Sequence, residues 1–206
     1  MKKGLVVSVV LLITTLFIFP SSTAISAAVR SVCIDPGHGG ADIGTSNGGI
    51  TEKDLNLNVA NKLASILIAN GYTVYQTRTT DVTLSNRDRY TFCNGAWADI
   101  LVSIHHNGST NPDIDYSTAL YMKKSDVDLA RSLVNTLSGK LGTTNNGINR
   151  FASGVLIKAK MPAAISEGFF LTSSYEYSLL TDGTDKRAQD EAQALYEGIV
   201  SYFATH

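Results

Sequence analysis

Short apolar runs of strand length alternate along this chain with longer segments whose apolar residues recur at helical spacing. The short runs predict six strands, at residues 31–35, 72–77, 99–105, 118–124, 154–159 and 162–167. The longer segments predict helices at residues 51–71, 85–98, 125–142 and 185–204. The polar segment 142–154 is rich in glycine and asparagine, and we expect it to form a long loop.

This alternation of strands and helices is typical of an α/β domain built around one sheet. We expect a mostly parallel central sheet of about six strands flanked by helices, because nearly continuous apolar strands fit a sheet that is covered on both faces. The 206 residues contain no internal repeat and no low-complexity linker, so we expect a single domain.

The N-terminal segment has the composition of a secretory signal peptide. Lys2 and Lys3 precede an apolar run at 6–19, and small residues follow Pro20 in "SSTAISAA". The run is short for a membrane span, which needs about 20 apolar residues. We therefore predict a signal peptide at 1–28 and no stable membrane span after its cleavage. The domain at 29–206 is expected to act outside the cytoplasm, although an uncleaved N-terminal anchor is the alternative.

The charge of the chain disfavours two classes of partner. Loss of Lys2 and Lys3 takes the basic residues from 17 to 15 against 18 acidic residues, which leaves a net charge near −3. No run of lysine or arginine interrupts the remainder. The sequence therefore predicts no binding to nucleic acid or to an anionic membrane.

The chain has two cysteines, Cys33 and Cys93. In an exported protein they can form one disulfide. Cys33 also lies in a predicted buried strand, where cysteine often serves as a small apolar side chain. Both interpretations stay open, and we expect neither cysteine to be required for activity.

Polar residues that can bind metals stand where three predicted strands end. His38 follows the first of these strands within a glycine-rich loop, His105 ends the second, and Glu167 ends the third. In open parallel sheets, ligands bind at the carboxyl ends of the strands. Two imidazoles and one carboxylate with an open fourth position are a known ligand set of zinc hydrolases. None of the local zinc motifs is present, so isolated histidines on surface loops are the alternative.

Two further carboxylates have structural interpretations of their own. Glu52 stands at the start of a predicted helix, where the helix dipole favours an acidic side chain. Asp35 ends the first predicted strand, and we expect it to hydrogen-bond the loop that follows.

Five stretches together carry a resemblance to a known family, namely "DPGHGG", "EKDLN", "TRTTDVTLSNR", "ADILVSIHHN" and "PAAISEGFF". In order and spacing they resemble the zinc-dependent N-acetylmuramoyl-L-alanine amidases of the Amidase_3 type, over residues 31–203. Together with the predicted signal peptide, the resemblance implies a secreted, cell-wall-associated hydrolase. Its substrate would be peptidoglycan, and it would cut the amide bond between N-acetylmuramic acid and the L-alanine of the stem peptide.

The resemblance also implies roles for individual residues. His38, Glu52 and His105 would bind zinc, and Glu167 would be the catalytic carboxylate. Asp35 and Asn107 are candidates for orienting a ligand or contacting the substrate.

His106 follows the second candidate histidine, where the family usually has a small or apolar residue. Adjacent residues that leave a strand point to opposite sides, so one metal is not expected to take both histidines. The family motif selects His105.

Two rival functions remain open at this level. One is a metallopeptidase that cuts within the stem peptide, and the other is a non-catalytic wall-binding protein. No wall-binding module is recognised in the sequence, so targeting is expected to come from the catalytic domain or from an unknown regulatory partner.

Overall fold

A six-stranded sheet forms the centre of the domain, with helices packed on both of its faces. The computed structural model describes residues 1, 2, 4 and 29–206. Within the predicted signal peptide at 1–28, only residues 1, 2 and 4 are described, so the prediction lies outside the described residues. Within the described part of the chain, no helix is long and apolar enough to cross a membrane.

The strands differ widely in length, and the two shortest form a separate hairpin ahead of the first helix. The strands are β1 (Ser31–Pro36), β2 (Ser46–Asn47), β3 (Ile50–Thr51), β4 (Thr73–Gln76), β5 (Ile100–Asn107), β6 (Ser117–Tyr121), β7 (Asn145–Arg150) and β8 (Ala163–Phe170). The helices are α1 (Glu52–Ala69), α2 (Asn86–Gly95), α3 (Val127–Leu141), α4 (Gly154–Lys158), α5 (Ser174–Leu180) and α6 (Lys186–Phe203), and one 3-10 turn covers Lys124–Asp126.

The order of the central sheet is β4-β1-β5-β8-β6-β7. Strands β4, β1, β5 and β8 run parallel to one another, whereas β6 is antiparallel to β8 and parallel to β7. The predicted α/β class and the mostly parallel sheet of about six strands are therefore confirmed.

The pleat of β1 explains how both faces of the sheet are covered. Val32 and Ile34 point to the larger apolar cluster, which is built with α1, α3 and α6. Cys33 points to the opposite face, where a smaller cluster includes Cys93 of α2 and Leu156 of α4. Successive strand residues alternate between faces, so a continuous apolar strand supplies both clusters.

One predicted strand is a helix. The prediction for 154–159 was wrong, because Gly154–Lys158 forms α4 after Ser153. The Ser153 hydroxyl accepts a hydrogen bond from the Val155 backbone N–H, which caps the first turn. Val155 and Leu156 are buried beneath it. A short apolar run fits either type of element, and here the serine cap favours the helix.

The sixth strand of the sheet comes instead from the segment predicted as a loop. Within 142–154, Asn145–Arg150 forms β7 at the edge of the sheet. Most of its side chains are exposed, and its pairing partner is β6. An edge strand with solvent on most sides needs no apolar alternation, so the periodicity gave no signal. The short helix α5, Ser174–Leu180, was also missed.

A disulfide joins Cys33 of β1 to Cys93 of α2. Both cysteines are fully buried in the smaller apolar cluster. The sequence alone leaves this pairing open. The bond closes a long loop, with a sequence separation of 60 residues. The chain-entropy treatment assigns about 4 kcal/mol of stabilisation to a loop of that length.

Replacing both cysteines, as Cys33→Ala/Cys93→Ala, is expected to lower the free energy of unfolding by about 4 kcal/mol. Turnover of the folded variant should stay near that of the parent, since neither sulfur lines the candidate site. Urea unfolding of the variant, the oxidised parent and the reduced parent measures the effect. The reduced parent should match the variant. Equal midpoints for the oxidised and reduced parent would show that the bond does not form in solution.

Candidate metal site

The ends of three parallel strands bring the candidate residues together at one edge of the sheet. His38 follows β1, while His105 lies in β5 and pairs in register with Glu167 of β8. A cavity of about 450 Å³ opens here, and its lining includes these three residues with Asp35 and Asn107.

His38, Glu52 and His105 form the one cluster of possible metal-binding side chains among the described residues, and their donor atoms lie within 4.8 Å of one another. His38 Nε2 and His105 Nδ1 each lie 3.1 Å from Glu52 Oε1. Two imidazole nitrogens and one carboxylate oxygen are the donors that zinc takes in hydrolase sites. The donor set therefore fits a zinc ion, and its assignment as the metal site stays a prediction.

Glu52 is the first residue of α1 and is nearly fully buried. Its Oε2 accepts a hydrogen bond from the Thr45 backbone N–H at 2.8 Å, which fixes the orientation of the carboxylate. Burial opposes ionisation, but hydrogen bonds with His105 and His38 hold the pKa of Glu52 well below its usual range. The carboxylate is therefore ionised and available to a cation.

Asp42 orients His38 and was not recognised from the sequence. His38 Nδ1 lies 2.8 Å from Asp42 Oδ2, so Nδ1 donates to the carboxylate and Nε2 is left toward Glu52 and His105. Carboxylates commonly hold metal-binding histidines in this way. The hydrogen bond from His38 also lowers the pKa of Asp42. The sequence offered no signal for this contact, because Asp42 lies four residues from His38 outside any helix.

Two arginines hold the backbone of the loop that carries His38. His38 has a φ of +58°, in the left-handed region that non-glycine residues rarely adopt. Arg89 donates to the carbonyl oxygen of His38 at 2.7 Å. Arg78 donates to the carbonyl oxygens of Pro36 at 3.0 Å and Gly37 at 2.9 Å. These hydrogen bonds hold the loop in place and so keep His38 in its strained backbone conformation.

Asp35 acts on this loop through Arg89. Its carboxylate is fully buried and accepts hydrogen bonds from Arg89 Nη1 at 2.8 Å, Ser103 Oγ at 2.7 Å and Thr77 Oγ1 at 2.6 Å. The expectation that Asp35 bonds the loop directly was wrong, because the arginine lies between them. Among its described contacts there is none to the side chain of His38.

A glycine lets His105 approach the loop closely. A Cβ added to Gly37 would collide with the Cε1 and Nε2 atoms of the His105 ring. Any larger residue at this position would displace the ring, so glycine is required here by contact and not by its dihedral freedom.

Glu167 has an unusual environment for a carboxylate. Its Oε2 atom is buried and has no hydrogen-bond partner among the described residues. Burial raises the pKa of Glu167 to about 7. Buried polar atoms are nearly always paired, so an unpaired one beside a cluster of metal-binding donors points to a missing ligand. Strongly shifted pKa values of this kind concentrate at functional sites.

His106 lies on the other side of β5 from these residues. Its ring is buried and contacts Asn56 and Glu191 instead of the donor cluster. His105, which the family motif selects, lies in the donor cluster, and its assignment as a ligand stays a prediction.

A family model described as N-acetylmuramoyl-L-alanine amidase, Amidase_3, matches residues 32–201. The chain is 32% identical over 178 residues to N-acetylmuramoyl-L-alanine amidase LytC of Bacillus subtilis, covering 84% of this chain and 36% of LytC. It is 28% identical over 178 residues to the probable cell wall amidase LytH of Staphylococcus saprophyticus, covering 85% of this chain and 59% of LytH. The chain thus spans about a third of LytC and three fifths of LytH.

A solved structure of an N-acetylmuramoyl-L-alanine amidase from Clostridium difficile 630 is similar over nearly its whole length. It has a TM-score of 0.80 and 33% sequence identity, and the match covers 87% of this chain and 99% of that one.

Proposed function

The chain belongs to the N-acetylmuramoyl-L-alanine amidase family, and we propose that it is a zinc-dependent peptidoglycan hydrolase. It would cleave the amide bond between the lactyl group of N-acetylmuramic acid and the L-alanine of the stem peptide. The observation that carries this proposal is the cluster of His38, Glu52 and His105 donors beside the unpaired oxygen of Glu167.

His38, Glu52 and His105 would hold the zinc ion. When bound, zinc lowers the pKa of a water molecule and polarises the scissile carbonyl group. The protein supplies the orientation of the three donors. In the neutral imidazole, the hydrogen bond to Asp42 would keep the proton on Nδ1 and leave Nε2 of His38 as the metal donor. The Thr45 backbone N–H fixes the orientation of the Glu52 carboxylate.

Glu167 is the proposed general base and acid. Its register partner is His105, so its carboxylate lies beside the donor cluster without a hydrogen bond to hold it. The side chain would accept the proton of the attacking water and then return it to the nitrogen of the leaving L-alanine. Burial raises the pKa of Glu167 to about 7 in the metal-free protein, and zinc would lower it, so the carboxylate would be ionised and able to accept that proton.

Two observations support export and action at the cell wall. The Cys33–Cys93 disulfide is a bond that persists in oxidising compartments, outside the cytoplasm. A relative that matches 85% of this chain is named probable cell wall amidase. The signal peptide predicted at 1–28 would direct the chain to export.

Mass spectrometry of digested muropeptides tests the proposed reaction. The purified domain with one zinc should release stem peptides that begin with free L-alanine and should leave the lactyl group on the sugar. A new amino terminus within the stem peptide would identify a metallopeptidase. Retention on peptidoglycan without any released product would identify a wall-binding protein.

Zinc affinity is expected to rise with pH up to about pH 9. In the apo protein, the hydrogen bond with Glu52 raises the pKa of His38 to about 9. The imidazole is therefore protonated at neutral pH and must lose its proton to bind a metal. Apparent affinity should increase by roughly tenfold per pH unit below that pKa.

Calorimetry in two buffers of different ionisation enthalpy at pH 7 measures this competition. Binding should release about one proton from His38. An affinity that is constant between pH 6 and pH 7.5, with no proton release, would contradict the raised pKa of His38.

A further inference from the structure

His106 and Glu191 form a buried pair on the face of β5 that points away from the cavity. The His106 Nε2 atom lies 2.8 Å from Glu191 Oε2, and both side chains have 0% exposure. On its other side, His106 Nδ1 lies 2.7 Å from Asn56 Oδ1. Asn56 uses its Nδ2 group to donate to the carbonyl oxygen of Gly37, so its Oδ1 is the acceptor. The imidazole ring is thus held at both ends, between α1 and α6.

The pair stands at a bulge between β5 and β8. His105 pairs in register with Glu167, and the next pairing joins Asn107 to Phe170. One residue of β5, His106, therefore faces two residues of β8. Bulges bend a strand locally and redirect its side chains, often next to active sites. Here the bulge follows directly after the candidate ligand and the candidate base.

The side chains of the pair fill this bulge. The His106 ring packs on the Phe169 ring with 4.4 Å between their centroids. A Cβ added to Gly168 would collide with the Glu191 carboxylate. Glu191 therefore contacts both the residue that follows His105 and the residue that follows Glu167.

The His106–Glu191 pair is also connected to Glu52, the third candidate ligand. The backbone N–H of His106 donates to Glu52 Oε1 at 3.1 Å. Asn56 Nδ2 lies 3.5 Å from the same oxygen. Since the His106 ring fixes the peptide that carries this N–H, the direction of the donor depends on the pair.

Stability alone does not account for this pair. Glu191 Oε1 is buried and has no hydrogen-bond partner among the described residues. An unsatisfied buried polar atom costs about 1–3 kcal/mol. Buried ion pairs can often be replaced by apolar residues without loss of stability. A buried polar pair with this energetic cost, on the face of β5 opposite the candidate site, therefore points to a role in holding the geometry of that site.

We propose that the His106–Glu191 pair is a positioning device that holds the β5–β8 bulge and thereby fixes Glu52 and the relative position of His105 and Glu167. The inference rests on the proposed zinc amidase function for the roles of those three residues. His106 and Glu191 are positioning residues. His106 reaches Glu52 through its backbone N–H, and Glu191 contacts the residues that follow His105 and Glu167.

The test compares Glu191→Leu, Glu191→Gln and the double variant His106→Leu/Glu191→Leu with the parent. The two leucine variants should lose on the order of tenfold in zinc affinity, measured by chelator competition. The visible spectrum of bound Co²⁺ should change, and kcat should fall more than KM rises. Glu191→Gln keeps an oxygen acceptor for His106 Nε2 and should recover most of the affinity.

Glu176→Leu is the matched control. Glu176 is equally buried and pairs with Arg187, one turn before Glu191 on α6. This variant should lower the melting temperature but leave the Co²⁺ spectrum and zinc affinity at parental values. Parental affinity and spectrum in the double variant would overturn the proposal. So would an equal loss of affinity in Glu176→Leu.

Hydrogen exchange in the metal-free protein separates this proposal from the proposed function. The leucine variants at 106 and 191 should speed exchange at the amides of His106 and Leu171, whose bonds flank the bulge, and Glu176→Leu should not. A parent that binds no zinc would contradict the proposed function, while the exchange rates would still decide whether the pair holds the bulge. Unchanged exchange in those variants would overturn the proposal.

Discussion

Replacing Glu167 with glutamine is expected to lower turnover by roughly 10²–10⁴-fold, the usual contribution of one general acid–base group. Glutamine keeps the size of the side chain but removes the proton acceptor. Burial raises the pKa of Glu167 to about 7, and a zinc ion beside it would lower that pKa, so the proposed base would be ionised in the zinc-loaded protein. Release of free L-alanine termini from purified peptidoglycan measures the rate.

Zinc content and thermal stability are the controls for Glu167→Gln. The variant should bind close to one zinc ion per chain and melt near the parent temperature. If it loses its zinc, Glu167 is a ligand and the role of Glu52 must be reassigned. If it keeps near-parental turnover, another base operates, and Asp42 is the next carboxylate to replace because it lies within the same cavity lining.

The core of the fold could be predicted because its elements are long and their patterns are regular. The apolar stripes of α1, α3 and α6 repeat over several turns, and β1 and β5 are almost continuously apolar. The errors fall on short or exposed elements. Helix α4 has five residues, too few for a period, and β7 is a polar edge strand. Their structure depends on a serine cap and on pairing with β6, which periodicity does not report.

The candidate site could be predicted in part, for a topological reason. His38, His105 and Glu167 end neighbouring parallel strands, so the strand order alone brings them to one edge. Glu52 was assigned only through the family resemblance, because the helix dipole already explains an acidic side chain at the start of a helix.

Asp42, Arg89 and Glu191 hold the site residues in place. They could not be predicted from the sequence, because their contacts depend on the path of the chain through loops. Arg89 reaches the His38 carbonyl across 51 positions, and Glu191 reaches His106 across 85. No spacing rule links residues so far apart. Asp42 is nearer, at four positions from His38, but it lies outside any helix, so helical spacing does not explain the contact.

His105→Ala is expected to abolish zinc retention, with a loss of affinity beyond the roughly 10–100-fold that removal of an outer partner costs. The variant loses one of the three donors that lie within 4.8 Å of one another. His38 Nε2 and Glu52 Oε1 would remain as a two-donor site. Metal analysis after dialysis against a weak chelator measures retention. Activity should fall to background, because the bound zinc would supply a polarisation of the scissile carbonyl group that Glu167 cannot.

The adjacent variant His106→Ala gives the sharpest comparison for this assignment. Its side chain points to Asn56 and Glu191, so no donor is removed. It should retain close to one zinc ion at saturating metal, although its affinity should weaken by about tenfold if the ring positions Glu52 as inferred. Zinc retained by His105→Ala and lost from His106→Ala would reverse the assignment. It would require β5 to present its other face to the cavity, contrary to the register that pairs His105 with Glu167.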